Sequence, residues 1–382
     1  MNVGETARLL AVARELGQEF AADAAKYDRT GAFPYGNLHR LREAGLTGLV
    51  TPRRYGGHEA GLKVALAVVN MIAKAEASTG LILAQQYLFH AHLRLGSRWP
   101  DHVREQVQVA AVKDGALINS FRVEPELGTP VRGGLPATMA RQEQGGWRIS
   151  GRKIFATGAP GLTWAAIWAR TDEPTPRVGQ ILVTLDARGL RIDHTWDHLG
   201  LRASGSHDVV LEDVFVPHDH AVDLRLPSEW AEKDSTLAAW NALLFATVYD
   251  GVARAARDWF IGFLHARRPT NLGASLATLP HMQTAVGEIE ALLLTNITLF
   301  GLARRVDAGT PPPVHEIHLA KHVTNANAIA VVERVLSLVG NAGLTRANPL
   351  ERHLRDVLCG RVHSPQADTV LGNAGRLALG IA

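Results

Sequence analysis

Cysteines, long basic runs and long apolar runs are all scarce in this sequence. A single cysteine, Cys359, stands among 382 residues, so an internal disulfide is excluded. No run of five or more Lys or Arg occurs and the formal net charge is only +3, which argues against a nucleic-acid-binding surface. No unbroken apolar stretch approaches the ~18 residues of a membrane span, and the N-terminus lacks the apolar core of a signal peptide. These absences predict a cytoplasmic protein that binds neither nucleic acid nor membrane.

Common nucleotide and metal fingerprints are missing as well. No GxGxxG follows a strand-like segment and no GxxxxGK[ST] occurs, so a nicotinamide held on such a loop is not expected. His315, His318 and His322 share one helical face, but a partly solvated face explains them better than a metal. We therefore predict no metal site. The GxxG spacing that begins at Gly340 is typical of a helix end.

Hydrophobic periodicity divides the chain into three parts. Residues 1–115 show apolar residues at helical spacing, whereas residues 116–226 contain short alternating segments such as WRISGRKIF (147–155). Helical spacing returns over residues 227–382. The pattern predicts an α+β fold, mainly α, in which a helical part precedes a small antiparallel sheet or barrel and a bundle of antiparallel helices.

Five segments, in order along the chain, resemble the acyl-CoA dehydrogenase superfamily. They are FPYGNLHRLREAGLTGLVTPRRYGG (33–57), VEPELGT (123–129), GGWRISGRKIFATGAPGLTWAAIWART (145–171), WDHLGLRASGSHDVVLEDVFVP (196–217) and GLTRANPLERHLRD (343–356). The resemblance implies an N-terminal helical domain (1–115), a middle β-barrel (116–226) and a C-terminal four-helix bundle (227–382). It also implies a flavin between barrel and bundle, in a homotetramer or homodimer.

The same resemblance assigns residues to the flavin. Phe155 and Thr157 match the positions that flank the ring and hydrogen-bond it near N5. Val123 matches a contact at the pyrimidine edge, through its backbone, and Thr129 matches a serine of the same loop. The remaining cofactor-binding candidates are Arg268, Gln283 and Gly340, in segments that hold the phosphates and the adenosine end. RRPTNLG (267–273) and SLVGNAG (337–343) depart from the usual pattern, which predicts weak anchoring of FAD or FMN.

The catalytic base expected of an acyl-CoA dehydrogenase is not where the pattern would put it. Ser364 takes the place of the usual Glu after Arg355-Asp356, and a hydroxyl alone is too weak a base. Asp250 is the one obvious substitute. His363-Ser364-Pro365 instead resembles the His-x-Pro of the superfamily's reduced-flavin monooxygenases.

That branch implies a set of catalytic and substrate-binding residues. His363, Thr157 and Ser364 are the catalytic candidates, and Gln86, Tyr87 and His90 are the substrate-binding candidates. For His363 the alternative is a solvated loop histidine, and for His90 it is a residue on a helix surface.

The sequence thus favours a flavin-dependent monooxygenase. It would act on a small organic substrate with O2 through a C4a-hydroperoxide, using flavin reduced by a separate reductase. One alternative is an acyl-CoA dehydrogenase or oxidase with a displaced base. A second is a scaffold that has lost its flavin and its catalytic activity.

Overall fold

Five helices make up the N-terminal part of the molecule. The computed structural model describes residues 1–126, 134–230 and 234–381. The helices are α1 (Val3–Thr30), α2 (Tyr35–Glu43), α3 (Leu62–Ala75), α4 (Ala77–Leu95) and α5 (Asp101–Lys113). α3 and α4 are separated only by Glu76, whose extended backbone ends α3. Its carboxylate then accepts hydrogen bonds from the amides of Ser78 and Thr79, which caps α4.

The middle part is a single eight-stranded sheet. Its strands are β1 (Ile118–Phe121), β2 (Met139–Glu143), β3 (Gly146–Lys153), β4 (Trp164–Thr171), β5 (Val178–Thr184), β6 (Leu190–Asp193), β7 (Asp208–Pro217) and β8 (Asp223–Arg225). Their order is β6-β7-β3-β2-β4-β5-β8, with β1 beside β4. The predicted antiparallel pairing holds for most neighbours, but β1 and β2 each run parallel to β4. β3 has a bulge at the step from Ile149 to Gly151 where it meets β7.

The C-terminal part is helical. It contains α6 (Ser235–Ala266), α7 (Pro280–Phe300), α8 (Ala303–Asp307), α9 (Val314–Val339), α10 (Leu350–Leu358) and α11 (Ala367–Ala378). α6 packs against α7, α9 and α10 and also against α3 and α4, so it is the element shared by the two helical parts. Asp307, the last residue of α8, accepts hydrogen bonds from the first amides of α3 and joins the same two parts.

Two segments of the bundle are strongly apolar over their length, although neither contains an unbroken apolar stretch of about 18 residues. Pro280–Asp307 and Val314–Gly343 are long and apolar enough, by length and composition, to cross a membrane. Within their most apolar windows only 22% and 44% of the residues are buried. Helices of a water-soluble bundle pass the same test, so this is weak evidence for a membrane, and the expected lack of membrane contact stays a prediction.

Candidate functional site

An exposed aromatic ring stands at the end of β3. Phe155 has a left-handed backbone, with φ of +57°, and 51% of the residue is exposed. A bulky residue seldom adopts that conformation, so the surrounding fold must hold it there. The ring meets Trp196 and His198 edge to face, with centroids 6.4 and 5.8 Å away, and those two rings stack at 3.7 Å. An aromatic wall therefore stands open beside the sheet.

Thr157 lies two residues further and is buried. Its Oγ1 is 2.9 Å from Ser206 Oγ, which is 2.7 Å from Ser204 Oγ. The Asn119 side chain donates to the Thr157 carbonyl at 3.0 Å. The hydroxyl groups of Thr157, Ser206 and Ser204 therefore form a chain of hydrogen bonds. Thr157 is the member of this chain that is closest in sequence to Phe155 of the aromatic wall.

His363 lies at the junction of three elements and is only partly exposed. Its ring stacks on Phe245 of α6 with centroids 4.8 Å apart, and its Nδ1 is 2.5 Å from the Tyr249 hydroxyl. Loss of contact with water and the nearby charge of Lys321 lower the pKa of His363 to about 3. The alternative of a solvated loop histidine does not describe this environment. Ser364 follows it and is partly buried.

Lys321 of α9 supports the same turn and was not singled out from the sequence. Its ammonium is buried and donates to the backbone carbonyls of His363, at 2.6 Å, and Pro365, at 2.9 Å. Burial lowers the pKa of this lysine to about 8. One turn along α9, Asn325 donates to the Gly360 carbonyl at 3.0 Å. These contacts fix the backbone on both sides of the imidazole.

Tyr249 was also missed as a site residue, and its position depends on a glycine. A Cβ atom at residue 360 would lie 3.0 Å from the Tyr249 ring, so Gly360 allows the turn to lie flat on that ring. Burial raises the pKa of Tyr249 well above its usual value, so its hydroxyl stays protonated. The sequence placed Tyr249 next to Asp250, but nothing in it showed that Tyr249 faces a residue 114 positions away.

Asp250 points into a different environment. Its carboxylate accepts from the Arg254 guanidinium at 2.6 Å and from the side-chain amides of Asn70 and Asn296, each at 2.9 Å. It is almost completely buried in this network. A carboxylate that is already paired and saturated with hydrogen bonds is poorly suited to take a substrate proton.

The three substrate-binding candidates on α4 lie inside the N-terminal part. The Gln86 carbonyl accepts from the Ile118 amide at 2.9 Å, and its amide is 3.0 Å from His90 Nε2. The Tyr87 hydroxyl donates to the Leu46 carbonyl at 2.9 Å. All three residues are buried, so His90 is not a helix-surface residue, and their assignment to substrate binding stays a prediction.

The other cofactor candidates are not gathered at Phe155. Arg268 and Gly340 are exposed, in turns that follow α6 and α9, and Gln283 is exposed on α7. Val123 lies beside the strand end, where its carbonyl accepts from the Ile154 amide at 3.0 Å. Thr129 lies outside the described residues. Across the described ranges, no group of three or more His, Cys, Asp or Glu residues is placed to hold a metal ion.

Two cavities adjoin these features. One of about 470 Å³ lies between α9 and the turn after α10 and is lined by Lys321, Asn325, Gly360 and Pro365, among others. The second, of about 280 Å³, lies between the end of α1, the loop of residues 196–202 and the segment that leads into α10. The first is next to the backbone of His363, and the second is lined by His198 of the aromatic wall.

Comparison with known proteins places the chain in a family. Models of the N-terminal, middle and C-terminal domains of acyl-CoA dehydrogenase match residues 5–99, 123–214 and 243–366. A putative acyl-CoA dehydrogenase of Bacillus subtilis, YdbM, is 33% identical over 93% of this chain and 92% of its own. L-evernosamine nitrososynthase of a Micromonospora species is 30% identical over 90% and 83%.

A solved structure agrees with this placement. KijD3 in complex with FMN and dTDP-3-amino-2,3,6-trideoxy-4-keto-3-methyl-D-glucose is 29% identical and has a TM-score of 0.86 over 99% of this chain and 94% of that one. The predicted fold, with its helical domain, β domain and helical bundle, is confirmed. The chain belongs to the acyl-CoA dehydrogenase family of flavin-dependent oxidoreductases.

Proposed function

We propose that this protein is a monooxygenase that uses reduced flavin and O2 to oxygenate a small organic substrate. The observation that carries the proposal is the His363 turn, where a neutral imidazole packed on Phe245 and Tyr249 lies next to Ser364, the residue that stands in place of the dehydrogenase glutamate. The likeness to nitrososynthases and to an FMN-bound neighbour supports it. Reduced flavin, when bound, supplies the electrons with which O2 is activated.

The residues around the strand end fit a flavin. Phe155 offers an exposed ring face at a fixed backbone position, backed by the rings of Trp196 and His198. Planar aromatic ligands pack well against such surfaces. The Thr157 hydroxyl and the backbone near Val123 provide polar groups for the edge of the ring. The sequence carries no nicotinamide fingerprint, so we propose that a separate reductase delivers the flavin in reduced form.

Hydrogen bonding defines the role of His363. A phenol hydroxyl can donate or accept, and we propose that the protonated Tyr249 hydroxyl donates to Nδ1, which places the proton of the neutral imidazole on Nε2. Nε2–H can then donate to an oxygen atom held in the site. Phe245 covers one face of the ring and excludes water from it. The Ser364 hydroxyl can donate a further hydrogen bond to the same oxygen atom, and the Thr157 hydroxyl can hold a proton at the edge of the flavin ring.

The decisive test replaces His363 by alanine. We expect the variant to fold and to bind flavin as the wild type does, because the turn is held by Lys321 and Asn325 through backbone carbonyls that the substitution leaves in place. The fraction of reduced flavin that is spent on free hydrogen peroxide should rise severalfold, by loss of one hydrogen bond to the reacting oxygen. Peroxide is measured against oxygenated product with photoreduced FMN or FADH2. Unchanged coupling would remove His363 from the mechanism.

The second candidate function is acyl-CoA dehydrogenation, favoured by the likeness to YdbM over nearly the whole chain. It requires a base, and the best sequence candidate, Asp250, is committed to Arg254 and two asparagines. Anaerobic mixing of the FAD-loaded protein with acyl-CoA thioesters separates the two functions. Bleaching of the flavin absorbance would favour the dehydrogenase. The cytoplasmic location and the homotetramer or homodimer remain predictions.

A further inference from the structure

The smaller of the two cavities is lined mainly by arginines. Its volume is about 280 Å³, and its charged walls are Arg29, Arg202, Arg346, Arg355 and a single acid, Asp28. Three stretches that are far apart in sequence bring these side chains together. Neither His363 nor Lys321 lines this arginine cavity. The arginine cavity is therefore separate from the His363 turn, and it adjoins the aromatic wall through His198.

The floor of the arginine cavity is held by a network of ion pairs. The guanidinium of Arg355 makes two hydrogen bonds to Asp28, of 2.8 and 2.6 Å, and two to Glu351, of 2.8 and 3.1 Å. Asp28 is thus committed to Arg355 and cannot neutralise the other arginines. Residue 200 is glycine because a Cβ there would lie 2.3 Å from the Arg355 carbonyl, so the 196–202 loop packs directly on α10.

The rim of the arginine cavity has uncompensated positive charge. Arg29 and Arg346 are exposed, and neither makes a hydrogen bond or ion pair with another side chain in the described part of the chain. Arg202 donates through Nε to the Asp28 carbonyl at 2.8 Å, and through Nη1 to the His198 carbonyl at 3.1 Å and to the exposed Asp197 carboxylate at 3.3 Å. Its second terminal nitrogen makes no hydrogen bond to the described residues. Guanidinium groups converging in this way match the geometry of phosphate oxygens.

The remaining wall suits an organic group. Leu199 is 61% exposed, and the His198 ring is stacked on Trp196 and meets Phe155 edge to face. The volume is near the lower end of small-molecule sites, roughly 300 Å³, and far above the space for one water or halide ion.

We propose that the arginine cavity binds the phosphate or diphosphate group of a phosphorylated small molecule. The rim arginines and Arg202 hold the phosphate oxygens, and the Asp28–Arg355 pair keeps the floor in place. Two sources share this chemistry, namely the phosphate of a substrate and the phosphate of the flavin itself. The proposal does not depend on the oxygenase function, because binding alone tests it.

The test is calorimetric titration of the full-length protein with inorganic pyrophosphate and with dTDP. The variant Arg29→Gln/Arg346→Gln removes the rim charges from exposed positions, so folding should be retained. Its matched control is Arg8→Gln/Arg14→Gln, which removes two exposed arginines from α1, the helix that also carries Arg29. We expect the rim variant to bind at least about tenfold more weakly, with the control unchanged, since each lost bond is charge-assisted. Wild-type binding should weaken as salt is added.

A parallel titration with FMN and riboflavin identifies the source. If the rim variant loses affinity for FMN but not for riboflavin, the phosphate is that of the flavin. If FMN binding is unchanged while dTDP binding is lost, the phosphate belongs to another ligand. Both outcomes support the site. Equal binding by the rim variant and its control, or no binding of any phosphate to the wild type, would overturn it.

Discussion

His363 depends on side chains from two helices that its own segment does not contain. Phe245 and Tyr249 of α6 enclose the ring, and Lys321 of α9 holds the backbone beside it. The resemblance of the segment around His363 predicted a histidine beside the flavin. Its neutral state and the proposed position of its proton depend instead on these distant partners.

Tyr249→Phe tests the orientation of the imidazole. We expect a folded protein with higher peroxide release, because Nδ1 loses its donor and the ring is free to change tautomer. The effect should be severalfold, since a neutral hydrogen bond contributes about 0.5–1.5 kcal/mol. Tyr35→Phe is the matched control, because it removes a tyrosine hydroxyl that bonds the Pro160 carbonyl at 3.1 Å instead. If both variants uncouple equally, a general loss of stability explains the effect.

Lys321→Met tests the support of the turn. The ammonium donates two bonds to carbonyls of residues 363 and 365, so its loss should speed amide hydrogen exchange across residues 359–366 by about tenfold or more. Coupling should fall as well, and Lys321→Arg should restore part of both. Lys113→Met removes the same charge from an exposed helix end and should change neither. Unaltered exchange in the methionine variant would show that the turn holds itself.

At the scale of elements, periodicity predicted the long segments and missed the short ones. β3 spans eight residues (Gly146–Lys153) and overlaps the alternating segment predicted at residues 147–155. β1, β2, β6 and β8 have three to five residues, too few for alternation to be recognised. Parallel pairing of β1 and β2 with β4 is a long-range arrangement that no local pattern encodes.

A buried ion pair anchors β3 within the sheet. The Lys153 ammonium is 2.5 Å from the Glu124 carboxylate, and both side chains are buried. Glu124 also accepts from the Thr138 hydroxyl at 2.6 Å and the Ala137 amide at 2.6 Å. This ion pair therefore stabilises the end of β3, which leads to Phe155.

Glu124→Gln should destabilise the middle domain by about 3–5 kcal/mol, because it leaves the Lys153 charge buried without its partner. Urea unfolding followed by tryptophan fluorescence measures the change. Glu143→Gln is the control, since it breaks the partly exposed pair with Arg148 and should cost about 0–1 kcal/mol. Similar losses in the two variants would mean that the buried pair contributes no more than a surface one.

At the scale of the whole molecule, burial of histidine predicts sensitivity to acid. Burial lowers the pKa of His90 to about 4 and that of His353 and His363 to about 3. Between pH 6.5 and about 4 the unfolded chain therefore takes up protons on these rings while the folded chain does not. The free energy of unfolding decreases as the pH is lowered through this range. Burial also lowers the pKa of His92, His198 and His207, which adds to the trend, and it raises the pKa of Asp356 to about 7, which opposes the trend.

Urea midpoints measured across this range should decrease steadily on acidification. His363→Gln removes one of the histidine contributions and should make the decrease of the urea midpoint with falling pH smaller. His281→Gln, at an exposed position, should leave that decrease unchanged. A midpoint that is constant between pH 6.5 and 4 would contradict the assignment of buried neutral histidines.

The sequence by itself determined the family and the order of helical and β parts, and it predicted the residues of the flavin-side segments. It could do so because periodicity and motif spacing are local properties of the chain. The tertiary structure alone decided that Tyr249, Phe245 and Lys321 surround His363, that Asp250 is already paired, and that Gln86 and His90 are buried. It also brought the ends of α1 and α10 together around the arginine cavity. Those outcomes depend on which faces of distant elements pack together, and the free energy of that packing belongs to contacts that no short segment contains.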